Sequence, residues 1–411
     1  MSKNFYIDNQ CNLKIEYENL INDLNQIKSF NTYCYSTDYY SIFRNIILSL
    51  LIDEPIYLLD FDFSKEEIKK LTEIDDFEKI ANINVSLKKI NNFEDVLNRI
   101  SLVKNWKVFL YTSGTTGLPK KVSHDFPSIT RMVKSSLKHS EDIWGFAYNP
   151  THIAGLQVFF QALLNKSTLV RLFGLPNDMI IDSIINYNVT HISATPTFYR
   201  LLLPIKEQIT SVIRITSGGE KLDLITMQRL KNIFINATIL NVYASTEAGT
   251  ILAAECDIFT LKKENQHLIK IVNQELFIHS SLLGKSDTFN LINDWYATGD
   301  LVDVISESPL RFRFLSRKNE MINVGGYKVN PQEIEQILLS YEHIKDARVY
   351  SKKNSVLGSI VCADIVCNDN TITIPEINIL LRSKLQEYKV PRIINFVESI
   401  KQTRSGKKVR K

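Results

Sequence analysis

Two periods run through the apolar positions of this chain. Short runs of β-branched and aromatic residues alternate with stretches where apolar residues return every third or fourth position, as strands and amphipathic helices require. Residues 39–52 predict a helix, and 56–59 (IYLL) a strand. Residues 106–111 form another strand candidate, which runs into a loop of glycines and hydroxyls; 129–137 then reads as helical. Buried strands are expected at 168–173, 191–194, 212–216 and 237–242, with helical segments between them. From Leu310 the texture changes to short strands with charged turns. Pro331 then opens a helix over 332–340, at a position where its missing N–H is harmless. The basic residues 405–411 read as a mobile tail. The pattern is that of an α/β protein.

Composition narrows the classes. The chain has 411 residues, 44% hydrophobic and 23% charged, enough to bury a large core without disulfides or a structural metal. Lysine plus arginine is 49 against 45 acids, a net charge of +4, too small to argue for nucleic acid or an anionic membrane. The longest aliphatic-rich stretch, 46–52, falls far short of the ~20 residues that span a bilayer. The first ten residues, MSKNFYIDNQ, lack the apolar region of a signal peptide. Cysteines 11, 34, 256, 362 and 367 show no CxxC pair and no histidine at ligand spacing. They read as free thiols of a cytoplasmic protein.

The strongest chemical signal is 112–121, TSGTTGLPKK, directly after a strand. Glycines let the backbone approach an anion, amides and hydroxyls donate to it, and lysine supplies charge. It is neither a Walker loop, since Gly114 is not followed at the required spacing by Gly-Lys-Ser/Thr, nor a GxGxxG dinucleotide fingerprint. Composition points to phosphate without naming the nucleotide.

YTSGTTGLPKKV resembles the phosphate-loop signature of the adenylate-forming superfamily: acyl- and aryl-CoA synthetases, peptide-synthetase adenylation domains and luciferases. Four more segments follow in that family's order: NVYASTEAG, WYATGDL, FLSRKNEMINVGGYKVNPQEIE and TRSGKKVR. The five motifs span Tyr111 to Arg410, whereas the first hundred residues match weakly and look shortened. The resemblance implies a large N-terminal α/β domain of mixed sheets flanked by helices over 1–316 and a hinge at 317–319. A small mobile α+β lid over 320–411 completes it.

Site residues follow from the same resemblance. Thr112, Ser113, Gly114, Thr115, Thr116, Gly117 and Lys120 are expected on the ATP phosphates. Tyr243 is expected to stack adenine and Asn241 to contact its edge, with Gly218, Gly219 and Glu220 of the Ser-Gly-Gly-Glu turn flanking it. Asp300 and Arg317 are expected on the ribose, and Thr246 and Glu247 on phosphate and Mg²⁺. A magnesium ion takes one or two carboxylates and fills its shell with phosphate oxygens and water. Lys407 matches the catalytic lysine, whose ammonium would bridge the two anions that adenylation brings together. Asn319 stands at the hinge, and Gly325, Gly326 and Tyr327 match the loop that lines the pantetheine tunnel after the lid rotates. The sequence departs from the pattern at Ala244, Ser316, Glu320, Asn323 and Lys401.

His152 resembles the pocket-gating histidine of acyl- and aryl-CoA ligases and, with Gly219, is expected against the acid substrate. No aspartate lies between Ala147 and Phe160 to pair with an α-ammonium, which favours an acid without one. Ile153, Leu156, Phe159 and Phe160 would allow an acyl or aryl chain, although apolar residues at that spacing also suit a core. The implied activity is ATP-dependent formation of an acyl-adenylate, followed by transfer to coenzyme A or an acyl carrier protein. Two alternatives stay open: an amino-acid-activating or carrier-loading adenylation enzyme, and an inactive nucleotide-binding interaction protein.

Overall fold

The computed structural model of the chain describes residues 3–74, 82–112, 120–324, 326–354, 358–368, 372–404 and 407–409. Its centre is an eight-stranded sheet. From one edge the order is Gly249–Ala254, Thr238–Ser245, Arg214–Gly218, His191–Ala194, Ile143–Phe146, Thr168–Arg171, Asn4–Asp8 and Leu13–Glu16. The inner pairs are parallel and only the two edge pairs are antiparallel. Parallel strands are covered on both faces, which explains their near-continuous apolar runs. One face presents Ile192 and Ile215 to Ile184, Leu230 and Phe234; the other meets Leu156, Phe159 and Phe160 of the helix Ile153–Leu163.

A four-stranded sheet, Tyr33–Tyr35, Ile56–Leu59, Lys107–Thr112 and Lys120–Asp125, carries the glycine-rich loop between its last two strands. The helix Tyr39–Leu51 supports it. Asp38 caps this helix by accepting from the amides of Tyr40 and Ser41, and Trp106 donates its indole N–H to Ser49 Oγ at 2.8 Å. A six-stranded antiparallel sheet follows, in which Trp295–Glu307 pairs with Leu310–Arg317.

Beyond Arg317 the chain forms a separate α+β unit with its own core around Ile334, Leu338, Val349, Ala363, Ile377 and Leu381. A three-stranded sheet, Ile344–Asn354, Gly358–Cys367 and Ile393–Phe396, lies with the helices Pro331–Leu339 and Ile374–Lys384. A large N-terminal domain and a small C-terminal one are thus present, as expected.

Two expectations need correction. Residues 129–137 do not form one helix: a short helix, Phe126–Thr130, ends there, and a 3₁₀ turn, Leu137–His139, follows. Side chains capture the backbone between them. Gln161 bonds both the N–H and the C=O of Lys134 at 3.0 Å, and Asn165 bonds the same carbonyl at 2.9 Å, so tertiary contacts override helical spacing. Within the basic C-terminus, the described residues 407–409 are not a free tail either. Lys408 is buried, with its ammonium 2.6 Å from Asp346 and bonded to the carbonyl of Ala347. Among the described residues no helix is long and apolar enough to cross a membrane.

Candidate active site

The carboxyl ends of the parallel strands open into a cavity of about 1280 Å³, the usual place for a ligand in an open α/β sheet. Thr195, Gly218, Gly219 and Tyr243 line it from the strand ends, Asp300 and Arg317 from the antiparallel sheet, and Lys407 from the C-terminal unit. Gly219 has a φ of +84°, where an L side chain is strained. A Cβ there would also come within 3.0 Å of Lys407 Cε and 3.7 Å of its Nζ. Glycine therefore makes room for the lysine as well as for a ligand.

Asp300 and Arg317 are direct cross-strand partners. Arg317 Nε donates to one carboxylate oxygen at 2.9 Å, and the Tyr243 hydroxyl donates to the other at 2.6 Å. Burial and the Asp300 charge push the Tyr243 phenol well above its ordinary range, so it stays a donor. Its ring stacks on Phe314 at 4.4 Å and 22°, leaving one face for a flat base. Asn241 is buried on the same strand.

Thr246 and Glu247 form the turn between Thr238–Ser245 and Gly249–Ala254. The Glu247 carboxylate lines the cavity and makes no hydrogen bond or ion pair with another described residue. Its backbone is held firmly: His124 Nε2 lies 2.8 Å from the carbonyl of Thr246, Gly284 donates to the carbonyl of Glu247 at 2.7 Å, and Arg131 bonds that of Ala248 at 2.6 Å. Burial pulls the His124 pKa down, and a neutral ring with the proton on Nε2 suits a carbonyl partner. Sequence reasoning missed His124, because nothing in the spacing shows that its strand meets this turn.

Lys407 reaches the cavity because the two domains are joined by a buried charge cluster. Arg200 lies 3.2 Å from Asp223 and 3.6 Å from Glu220 on its own domain, and 3.2 Å from Asp346 across the boundary. Glu220 accepts from the backbone N–H of Lys408 at 2.8 Å and from Thr197 Oγ1 at 2.5 Å. Glu220 therefore lines the cavity while its carboxylate seats the residue next to Lys407, a role not foreseen from sequence. The one available signal was Arg200, an arginine inside the apolar helix Pro196–Leu202, since a buried arginine requires partners. Burial and the nearby Arg317 charge lower the Lys407 pKa, while Glu220, Glu247 and Asp300 act against them.

Arg404, three residues before Lys407, pairs with Asp62 at 2.8 Å and Glu67 at 3.2 Å and lies 4.3 Å over the ring of Phe63. The first hundred residues thus help to hold the lysine segment. His152 lines the cavity with Nε2 2.9 Å from buried Asp60, which Thr151 and Asn149 also contact. Burial raises the Asp60 pKa, but bonds from His152 and Thr151 outweigh it and hold the carboxyl below its usual range.

Lys120 lines the cavity and pairs across the sheet with Thr112. Ser113, Gly114, Thr115, Thr116 and Gly117 lie outside the described residues, as do the Thr112 side chain and Gly325. Asn319 sits in the turn after Arg317 and lines the cavity. Gly326 and Tyr327 do not line it; Tyr327 is exposed and stacked on Tyr388. Of the apolar residues expected against the acid, only Ile153 faces the cavity. Leu156, Phe159 and Phe160 belong to the core, and Gln157, Val158 and Gln161 take the cavity side of that helix.

A cavity at the strand ends with a lysine from the C-terminal unit brought against Gly219 is the arrangement of an adenylating enzyme. The chain belongs to the AMP-binding enzyme family: residues 59–273 match the family model of that name, and 333–407 match that of the AMP-binding enzyme C-terminal domain. Among curated relatives, the 2-succinylbenzoate–CoA ligase of Bacillus pumilus is 28% identical over 393 residues, covering 89% of this chain and 77% of that protein. The fold matches o-succinylbenzoate CoA synthetase from Bacillus subtilis bound to its acyl-adenylate, with a TM-score of 0.73 at 18% identity, covering 100% of this chain and 94% of that one. The same enzyme with ATP and magnesium gives 0.71 at 19% identity, covering 100% and 96%.

Proposed function

We propose that this chain is an AMP-forming acid–thiol ligase. It would activate an acyl or aryl carboxylic acid without an α-amine and pass the acyl group to a pantetheine thiol, of coenzyme A or of a carrier protein. The carrying observation is Lys407, supplied by the C-terminal unit, lying along Gly219 in the cavity that also holds Tyr243, Asp300, Arg317 and Glu247.

In the first step a carboxylate oxygen attacks the α-phosphorus of ATP, and pyrophosphate leaves. Two anions meet there, so a desolvated ammonium between them stabilises the transition state more than the ground state. Asp300, already oriented by Arg317 and Tyr243, offers a carboxylate to the ribose hydroxyls, and Tyr243 offers its open face to adenine. Glu247, with no protein partner among the described residues, suits a magnesium ion whose other ligands are phosphate and water. Bound there, magnesium would neutralise phosphate charge.

In the second step the thiol attacks the acyl carbonyl, and AMP leaves. Lys407 occupies one approach to that carbonyl, which supports rotation of the C-terminal unit about Asn319 to present Gly325, Gly326 and Tyr327. Amino-acid activation is disfavoured because Glu220, the carboxylate nearest Gly219 in sequence, is already engaged by Thr197, Arg200 and Lys408. Free cysteines and dependence on ATP and a thiol cofactor favour the cytoplasm.

Exchange of labelled pyrophosphate into ATP tests the first step. Lys407→Ala should lower acid-dependent exchange about a hundredfold or more while ATP still binds. Exchange at the wild-type rate would remove Lys407 from the mechanism.

A further inference from the structure

The far end of the cavity is charged, and nothing in the adenylation chemistry uses it. On the cavity side of the parallel sheet, Gly218, Thr216 and Arg214 follow one another at alternate positions of one strand. Ser193 and His191 stand beside Thr216 and Arg214 on the next strand. At about 3.3 Å per residue, Arg214 begins about 13 Å from Gly218, where the reacting carboxylate must sit. The cavity reaches Arg214 along this face.

Arg214 is half-buried, and its guanidinium makes no hydrogen bond or ion pair with another described residue. Asp142, the acid of this floor, is engaged elsewhere: it lies 2.8 Å from His139 Nδ1 and 3.7 Å from His191 Nε2. Burial first, and the Arg214 charge as well, push the His191 pKa down to about 4, so His191 adds no positive charge near neutrality. Lys134 also lines the cavity, solvent-exposed, with its backbone fixed by Gln161 and Asn165 and its ammonium without a carboxylate partner among the described residues. A hydrocarbon end would leave this guanidinium of Arg214 further desolvated and unpaired, which is unfavourable. A carboxylate would meet a guanidinium shaped to bind it through two N–H groups.

We propose that the acid activated here carries a second carboxylate at its far end, received by the guanidinium of Arg214. This rests on the ligase reading for the reacting end alone; the distal contact is a property of binding. Such an acid is of medium length or built on a ring, because the span must be filled before the guanidinium is reached.

The test compares acids that differ only in the distal group: suberate with octanoate, sebacate with decanoate, terephthalate with benzoate. Binding is measured by calorimetry with ATP absent, and pyrophosphate exchange is measured in parallel. At least one dicarboxylate should bind tenfold or more tightly than its monoacid, and Arg214→Gln should reduce that ratio at least tenfold. Arg214→Lys should retain part of it, and because each ratio is taken within one protein, loss of folded material does not imitate the result. A wild type that prefers the monoacid in every pair, or a ratio unchanged in Arg214→Gln, overturns the proposal. Arg214-dependent binding without exchange for any acid would support the subsite and count against the ligase reading instead.

Discussion

The two ends of the cavity are built on opposite plans. At the nucleotide end the polar groups hold one another before any ligand arrives: Asp300 is fixed by Arg317 and Tyr243, and the Glu247 backbone by His124 and Gly284. At the acid end the Arg214 guanidinium faces the cavity without a carboxylate partner among the described residues. Mutual pairing keeps donors and acceptors in place at little cost in reorganisation on binding. Unpaired groups do the reverse, since a ligand that fails to satisfy them is penalised, and specificity follows from that penalty. On the proposed reading, the nucleotide end would serve any acid, and the Arg214 end would select among them.

The boundary between the domains decides whether the two ends work together. Arg200→Leu leaves Glu220, Asp223 and Asp346 crowded without their cation, and breaking a buried pair from one side costs about 3–5 kcal/mol. A fall in thermal midpoint of several degrees is expected by calorimetry. An unchanged midpoint would show that the cluster does not hold the closed arrangement.

His191 gives the next largest effect. The unfolded chain takes up a proton near pH 6.5, whereas the folded site resists it until about pH 4. Stability from this group is thus present above pH 6.5 and is lost as pH falls toward 4, by about 3 kcal/mol at most. Urea midpoints at pH 4.5 and 7.5 measure the loss, and His191→Asn should make it smaller. An equal slope in both proteins would place the acid-sensitive group elsewhere.

Asp346→Asn weakens the contact that seats Lys408 and so separates the two half-reactions. Pyrophosphate exchange should fall about tenfold, roughly 1.4 kcal/mol of barrier, while preformed acyl-adenylate reacts with thiol as in wild type. Equal loss in both steps would mean that Asp346 serves more than closure.

Glu247→Gln sharpens the nucleotide end by the smallest margin. It keeps the shape and removes the charge, so the magnesium needed for half-maximal exchange should rise severalfold. A constant requirement would move the metal away from Glu247.

What could be read from the sequence follows the same division. Strands 56–59 and 191–194 and the helix opened by Pro331 carry their signals locally, in apolar runs and caps, and the structure has them at those positions. Tyr243, Asp300, Arg317 and Lys407 could be picked out because each lies in a local motif of the resemblance, and the structure brings all four to one cavity. Arg200, His124 and Arg214 could not be picked out. Their meaning depends on partners 146, 122 and 23 residues or more away, or on the lack of one, and no local pattern encodes that. The segment 129–137 failed for the same reason, since Gln161 and Asn165 take the backbone bonds a helix would use.

The central claim is that this cavity joins an acid to AMP. The direct measurement follows the fate of ATP with the purified chain, magnesium and the acid panel, separating AMP and pyrophosphate from ADP and phosphate. Acid-dependent AMP and pyrophosphate, followed by thioester when thiol is added, is the predicted result. ADP and phosphate as products, or AMP formation that ignores the acid supplied, would contradict it.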